Sequence, residues 1–118
     1  MKAKDVLGRR GEILAADYLE DRGIRVIDHN WRCRNGEIDL VAVDGDTLVI
    51  AEVKTRRSLR YGHPFESITP AKMARLRTLA VLWSREHALF LPALRIDALA
   101  VIDSGRREPT VEHLKGVG

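Results

Sequence analysis

Apolar and polar positions alternate along this chain with two periods, and each period marks out its own segments. Leu7, Gly11, Leu14, Tyr18 and Arg22 recur at spacings of three and four, one face of a helix. The pattern predicts a first helix over residues 5–22, stopped by Gly23. Residues 24–28 are β-rich and read as a strand, and residues 30–36 as a polar connection. Residues 37–44 and 47–55 alternate with a period of two on either side of Gly45-Asp46, the signal of a hairpin with a type II′ turn. Residues 56–66 show neither period and contain Gly62 and Pro64, so they read as a surface loop. Thr69 before Pro70 opens a second helix, with Thr as cap and Pro in the first turn. It runs to Arg85 with Met73, Leu76, Leu79 or Ala80, and Trp83 facing inward. Residues 94–103 and 110–114 add two strands around a turn at Ser104-Gly105. The order α-β-β-β-α-β-β predicts an α/β fold: one domain over residues 1–118, with helices packed on a mixed sheet.

The hairpin register concentrates charge at one end. With Gly45 and Asp46 as the loop, Asp39 lies opposite Glu52 and Glu37 opposite Lys54. Opposed residues share a face of the sheet with Cβ atoms about 5 Å apart. Two carboxylates at that spacing repel by roughly 3 kcal/mol at an effective dielectric of about 20. A divalent cation between them would turn repulsion into attraction, and all-oxygen ligation suits Mg²⁺ or Mn²⁺. Lys54, two residues beyond Glu52, would then reach a water or a phosphate oxygen at the same place. The ordinary alternative is a Glu37–Lys54 salt bridge with Asp39 and Glu52 merely solvated. Glu12 precedes Ala15, Ala16 and Leu19 on an apolar helical stripe, where a carboxylate wants a partner. It is either a third acid for the site or a rim charge paired with Arg9 or Arg10.

Composition narrows the class. The chain has 118 residues, 45 % hydrophobic and 31 % charged, a globular balance that excludes wholesale disorder. No apolar run reaches the roughly 20 residues of a membrane helix, and the polar N-terminal segment does not resemble a secretory signal. The single cysteine, Cys33, excludes an internal disulfide. The expectation is a soluble cytoplasmic protein with no membrane partner. The net charge is only +3, yet 15 of the 20 basic residues are Arg, the side chain whose planar fork matches phosphate. Arg32 and Arg34 precede the Glu37 strand, and Arg56 and Arg57 follow the Glu52 strand. With Arg9, Arg10 and Lys72, they are candidates to bind a nucleic-acid backbone. For any one of the loop arginines, solvated charge is an equal alternative, and for Lys72 a plain surface lysine is the stronger one. Arg95 and Asp97, alternating on one strand, read as a structural pair.

These residues carry a resemblance. Gly8-Arg9-Arg10-Gly11-Glu12, Asn30 with Arg32, Gly36-Glu37-Ile38-Asp39-Leu40, Glu52-Val53-Lys54-Thr55-Arg56, Tyr61-Gly62, Lys72 and Arg95-Ile96-Asp97 run in one order along nearly the whole chain. In this the sequence resembles the PD-(D/E)XK nuclease superfamily, and more closely the YraN-like family of small bacterial proteins, similar in fold to archaeal Holliday junction resolvases. The resemblance implies a restriction-endonuclease-like domain with Asp39, Glu52 and Lys54 as its active-site residues and Glu12 as the helical glutamate. Asp39 is preceded by Ile38 rather than proline. The implied function is phosphodiester hydrolysis dependent on Mg²⁺ or Mn²⁺, held by Asp39, Glu52 and Glu12, on nucleic acid, with DNA ahead of RNA and branched DNA in view. Resolvase action would call for a homodimer. Two alternatives stand beside it: a nucleic-acid-binding module that keeps the fold without cutting, and a protein-interaction domain whose acidic cluster is structural.

Overall fold

Two hydrophobic clusters, one on each side of a five-stranded sheet, organise the molecule. The coordinates are a computed structural model that describes residues 3–117; Met1, Lys2 and Gly118 lie outside the described residues. The elements are α1 (Ala3–Asp21), β1 (Arg25–Cys33), β2 (Gly36–Asp44), β3 (Thr47–Arg56), a 3-10 turn (Pro64–Ser67), α2 (Pro70–His87), β4 (Ala93–Ile102) and β5 (Thr110–Leu114). The strands lie in the order β1-β2-β3-β4-β5. All neighbours are antiparallel except β3 and β4, which are parallel and joined through α2. This is the expected order of a helix, three strands, a helix and two strands in one mixed sheet.

Period-two alternation decides which helix most strand side chains meet, and it breaks at Asp39, since Ile38 packs on the α2 side and Leu40 on the α1 side. Leu40, Ala42, Val49, Ala51, Val53, Leu99 and Val101 pack with Ala15 and Leu19 of α1. Val41, Leu48, Ile50 and Ile96 pack with Met73, Leu76, Leu79, Ala80 and Trp83 of α2. Glu52 therefore falls on the α2 side of β3, and Thr55 on the α1 side. Gly11 brings α1 against Thr55: a methyl group added there would overlap the Thr55 side chain. That contact holds the next residue, Glu12, at the end of β3.

The hairpin follows the expected register, from Asp44 opposite Thr47 to Leu40 opposite Ala51. Gly45 has φ 63°, and no positive φ occurs at Asp46, as a type II′ turn requires. Thr69 caps α2 through its hydroxyl, which accepts from the Lys72 N–H at 3.1 Å, and Ala88 ends it in the left-handed region.

The first strand is longer than its pattern suggests. β1 continues through the segment expected to be a connection, and only Arg34 and Asn35 separate it from β2. The register shifts between Val26 and Asp28, and Asn30 adopts φ 52°. These two irregularities break the alternation, and β1 is an edge strand with several exposed side chains, so its apolar signal is weak. The segment after β3 is a loop only in part, because Pro64–Ser67 forms the 3-10 turn. No helix among the described residues is long and apolar enough to cross a membrane.

Candidate active site

Beyond Leu40 and Ala51 the β2–β3 ladder stops. The Asp39 carboxylate accepts the Val53 N–H at 2.8 Å, taking the place of a strand carbonyl. At this fork the two strands part, and an open cleft of about 750 Å³ lies against them. Glu12 and Arg9 from α1, Asn30 and Arg32 from β1, Glu37 and Asp39 from β2, and Lys54 and Arg56 from β3 all line it.

Asp39 and Glu52 lie together one step beyond the last paired residues of the ladder. Their carboxyls are close enough for one proton to bridge them. Burial, then the Glu52 charge, pushes the Asp39 carboxyl up to about 8, against the Val53 N–H, which favours its ionised form. Glu52 is only 12 % exposed and meets two ammonium groups, Lys72 at 3.3 Å and Lys54 at 3.8 Å. The Lys72 ammonium and then burial lower the Lys54 pKa; Glu52 and Asp39 oppose the shift. The Glu12 carboxyl is raised, first by burial and then by Glu37. With its amide nitrogen turned toward Glu12, Asn30 donates to that carboxylate at 2.7 Å. Among the described residues no three acidic, histidine or cysteine side chains form a ready-made coordination sphere. Asp39 and Glu52 touch, while Glu12 acts on them through its charge.

The basic candidates divide. Arg9, Arg32 and Arg56 line the cleft, whereas Lys72 pairs with Glu52, and both of these lie behind its lining. Arg10 turns away and pairs with Asp103, beside Arg57 in a separate depression. Arg34 is exposed in the β1–β2 turn. Glu37 pairs with Arg32, its cross-strand neighbour on β1, rather than with Lys54. The reason is the fork itself: where β2 and β3 separate, the nearest cation to Glu37 comes from the strand on its other side.

Nothing in the sequence pattern marks Asn30 as a site residue, and Lys72, expected to bind phosphate, binds a carboxylate instead. A side chain bound to a carboxylate one strand or one helix away leaves no periodic signal. Arg95 and Asp97 do pair, at 2.8 Å, and neither lines the cleft. Asp97 is fully buried and also accepts from His113 at 2.7 Å and the Gly116 N–H at 3.0 Å. Burial opposes the charge of Asp97, but Arg95, Gly116 and His113 together hold its pKa below the usual carboxylate range.

Comparison with known proteins places the chain. Residues 11–101 match the model of the uncharacterised protein family UPF0102. A UPF0102 protein of Arthrobacter sp. is 64 % identical over 118 residues, covering all of both chains. Another from Beutenbergia cavernae is 52 % identical over the same full length, and one from Acidothermus cellulolyticus is 47 % identical across 97 % of this chain and 94 % of its own. The chain belongs to the UPF0102 family, the YraN-like family that its motifs resemble.

Proposed function

We propose that this UPF0102 chain is a metal-dependent nuclease of the PD-(D/E)XK kind, hydrolysing phosphodiester bonds of nucleic acid, with branched DNA the leading substrate. One observation carries the reading: Asp39 and Glu52 are pressed together at the hairpin fork, with Lys54 beside them and an arginine-walled cleft in front. Burying like charges side by side costs stability, and their crowding makes sense in a site that receives a cation.

The donor set fits such a cation. Asp39, Glu52 and Glu12 offer carboxylate oxygens only, which suits Mg²⁺ or Mn²⁺. A bound ion there would acidify a water and neutralise charge on the scissile phosphate. The chain's own groups do the rest. The Val53 N–H orients Asp39, and Asn30 orients Glu12. Lys72 holds Glu52 from the α2 side. Lys54, its pKa lowered by Lys72, is suited to take a proton from the attacking water or to donate to a phosphate oxygen. Arg9, Arg32 and Arg56 are placed to bind the backbone on either side.

The test is a cleavage panel of junction, flap, duplex and single strand with Mg²⁺ or Mn²⁺, alongside a Lys54→Ala control. Metal-dependent cleavage that the control lacks supports the reading. No cleavage on any of the four overturns it in favour of a binding module, or, if nothing binds either, an interaction domain.

A further inference from the structure

The carboxyl ends of β3 and β4 lie side by side, because these two strands are parallel, with Arg56 opposite Ile102. The β3–α2 and β4–β5 connections therefore leave the same edge of the sheet, the edge at which the cleft opens. The first carries Arg57 and Arg60, the second Arg106 and Arg107, and all four are exposed. The β3–α2 connection is tied to the site at both ends: Arg56 lines the cleft, and Lys72 reaches Glu52.

The tip of that connection is built to present side chains outward. The Gly62 N–H bonds to the Leu59 carbonyl at 3.1 Å, and the Arg60 N–H to the Ser58 hydroxyl at 3.2 Å. Gly62 takes φ 100°, and Glu66 comes so close to it that a side chain there would collide. Beneath the tip, His63 accepts from the Phe65 N–H through Nδ1 and so offers its Nε2 proton to Glu112 of β5, at 3.1 Å. On this footing Tyr61 stands 89 % exposed and Leu59 52 % exposed. The Arg60 guanidinium carbon lies 5.7 Å from the Tyr61 ring centroid. Of the acids nearby, Asp103 is engaged by Arg10 and Glu112 by His63, while Glu66 beside Gly62 and Glu108 beside Arg107 are exposed.

We propose that these two connections form a shelf for single-stranded nucleic acid beside the cleft, with Tyr61 stacking one unpaired base and Arg57, Arg60, Arg106 and Arg107 taking the phosphates. An exposed aromatic ring among arginines is the element from which sequence-tolerant single-strand sites are built. A continuous duplex keeps its bases stacked inside and offers Tyr61 no face. The inference rests on the nucleic-acid reading of the cleft and sharpens it to substrates with an unpaired base next to the cut.

The test is fluorescence anisotropy in EDTA, where no metal-dependent cleavage occurs, with labelled single-stranded DNA, single-stranded RNA of the same sequence, a gapped duplex and a blunt duplex. The wild type binds both single strands and the gapped duplex more tightly than the blunt duplex. Tyr61→Ala weakens those three by roughly 10-fold and the blunt duplex by less than about 2-fold, and Tyr61→Phe restores binding. The Arg106→Ser, Arg107→Ser double variant weakens all four and lowers the salt dependence of binding by about 1.5 in slope. Circular dichroism checks that each variant is folded. Equal loss on all four ligands in Tyr61→Ala, or no loss, overturns the shelf, and cleavage by the wild type in Mg²⁺ would leave the nuclease reading standing. Failure of the wild type to bind any of them in EDTA overturns the shelf alone, and the nuclease reading falls only if cleavage in Mg²⁺ or Mn²⁺ is absent as well.

Discussion

Replacing Asp39 with Asn isolates the electrostatic strain at the fork. The Asn side chain still accepts the Val53 N–H, made at 2.8 Å in the native protein, so the local backbone is kept. What disappears is a carboxyl raised from 3.8 to about 8 by burial and by Glu52. A carboxyl with a raised folded pKa holds its proton more tightly in the fold than in the unfolded chain. Its unfavourable contribution is absent at low pH and grows as pH rises from about 4 to about 8, by at most about 1.4 kcal/mol per unit. Water in the open cleft and the ammoniums of Lys54 and Lys72 screen part of this. We therefore expect Asp39→Asn to exceed the wild type by about 2 kcal/mol near pH 8, or roughly 8 °C in Tm.

The assay is urea unfolding in EDTA at two pH values. Near pH 4.5 the two proteins should agree within about 1 kcal/mol, and the gap should open toward pH 8. Adding Mn²⁺ near pH 8 should reverse the order, because an ion bound only by the folded wild type stabilises it by mass action. Lower stability of the variant near pH 8, or a gap that does not change with pH, would show that the two carboxyls are not in conflict.

Lys54→Ala should keep the Mn²⁺-induced rise in Tm and lose cleavage by at least about 100-fold, measured on whichever substrate the wild type cuts. Gly11→Val should destabilise by about 3 kcal/mol in chemical denaturation, since its side chain collides with Thr55, and Thr55→Gly in the same chain should recover part of that. Asp97→Asn should cost about 3 kcal/mol at neutral pH by leaving the Arg95 guanidinium short of its buried partner. The native Asp97 carboxyl sits below its unfolded pKa, so its stabilisation is present above about pH 4 and is lost as pH falls. The variant should accordingly unfold with a flatter acid limb than the wild type.

The central hairpin was legible because one rule sets everything in it. Gly45 at positive φ sets the turn, the turn sets the register as far as Leu40 opposite Ala51, and Asp39 and Glu52 follow at the next step, where the ladder stops. α2 was legible for a similar reason, since Thr69, Pro70 and the Met73–Trp83 stripe are local signals that the core then uses. β1 was not, because Asn30 and the shift near Ile27 interrupt the alternation by which a strand is recognised. Nor were the pairs that depend on where elements meet. Glu37 looks equally suited to Lys54 and Arg32 until the fork removes the first. Lys72 and Glu52 meet only because α2 is the crossover between parallel strands and its first turn returns to the end of β3. Position in sequence carries register along a hairpin but not the docking of a helix on it.

The fork explains why a conflict of charges sits at this point of the sheet and not elsewhere. Midway along β2 and β3, residues on both faces are sealed beneath helices, and an unpaired carboxylate there would be sealed with them. At the outer end, where the ladder stops after Leu40 and Ala51, Asp39 trades a backbone partner for its own side chain, and the strands open toward water. The surrounding structure fixes the geometry without help from the site. Gly11 seats α1 on Thr55, the Thr69 cap sets the first turn of α2, and Asp97 of β4 gathers Arg95, His113 and Gly116. Carboxylates held together by contacts outside themselves cannot relax by moving apart, so their repulsion is relieved by a proton or by a cation. The first relief explains the raised Asp39, and the second is what a nuclease of this kind would use.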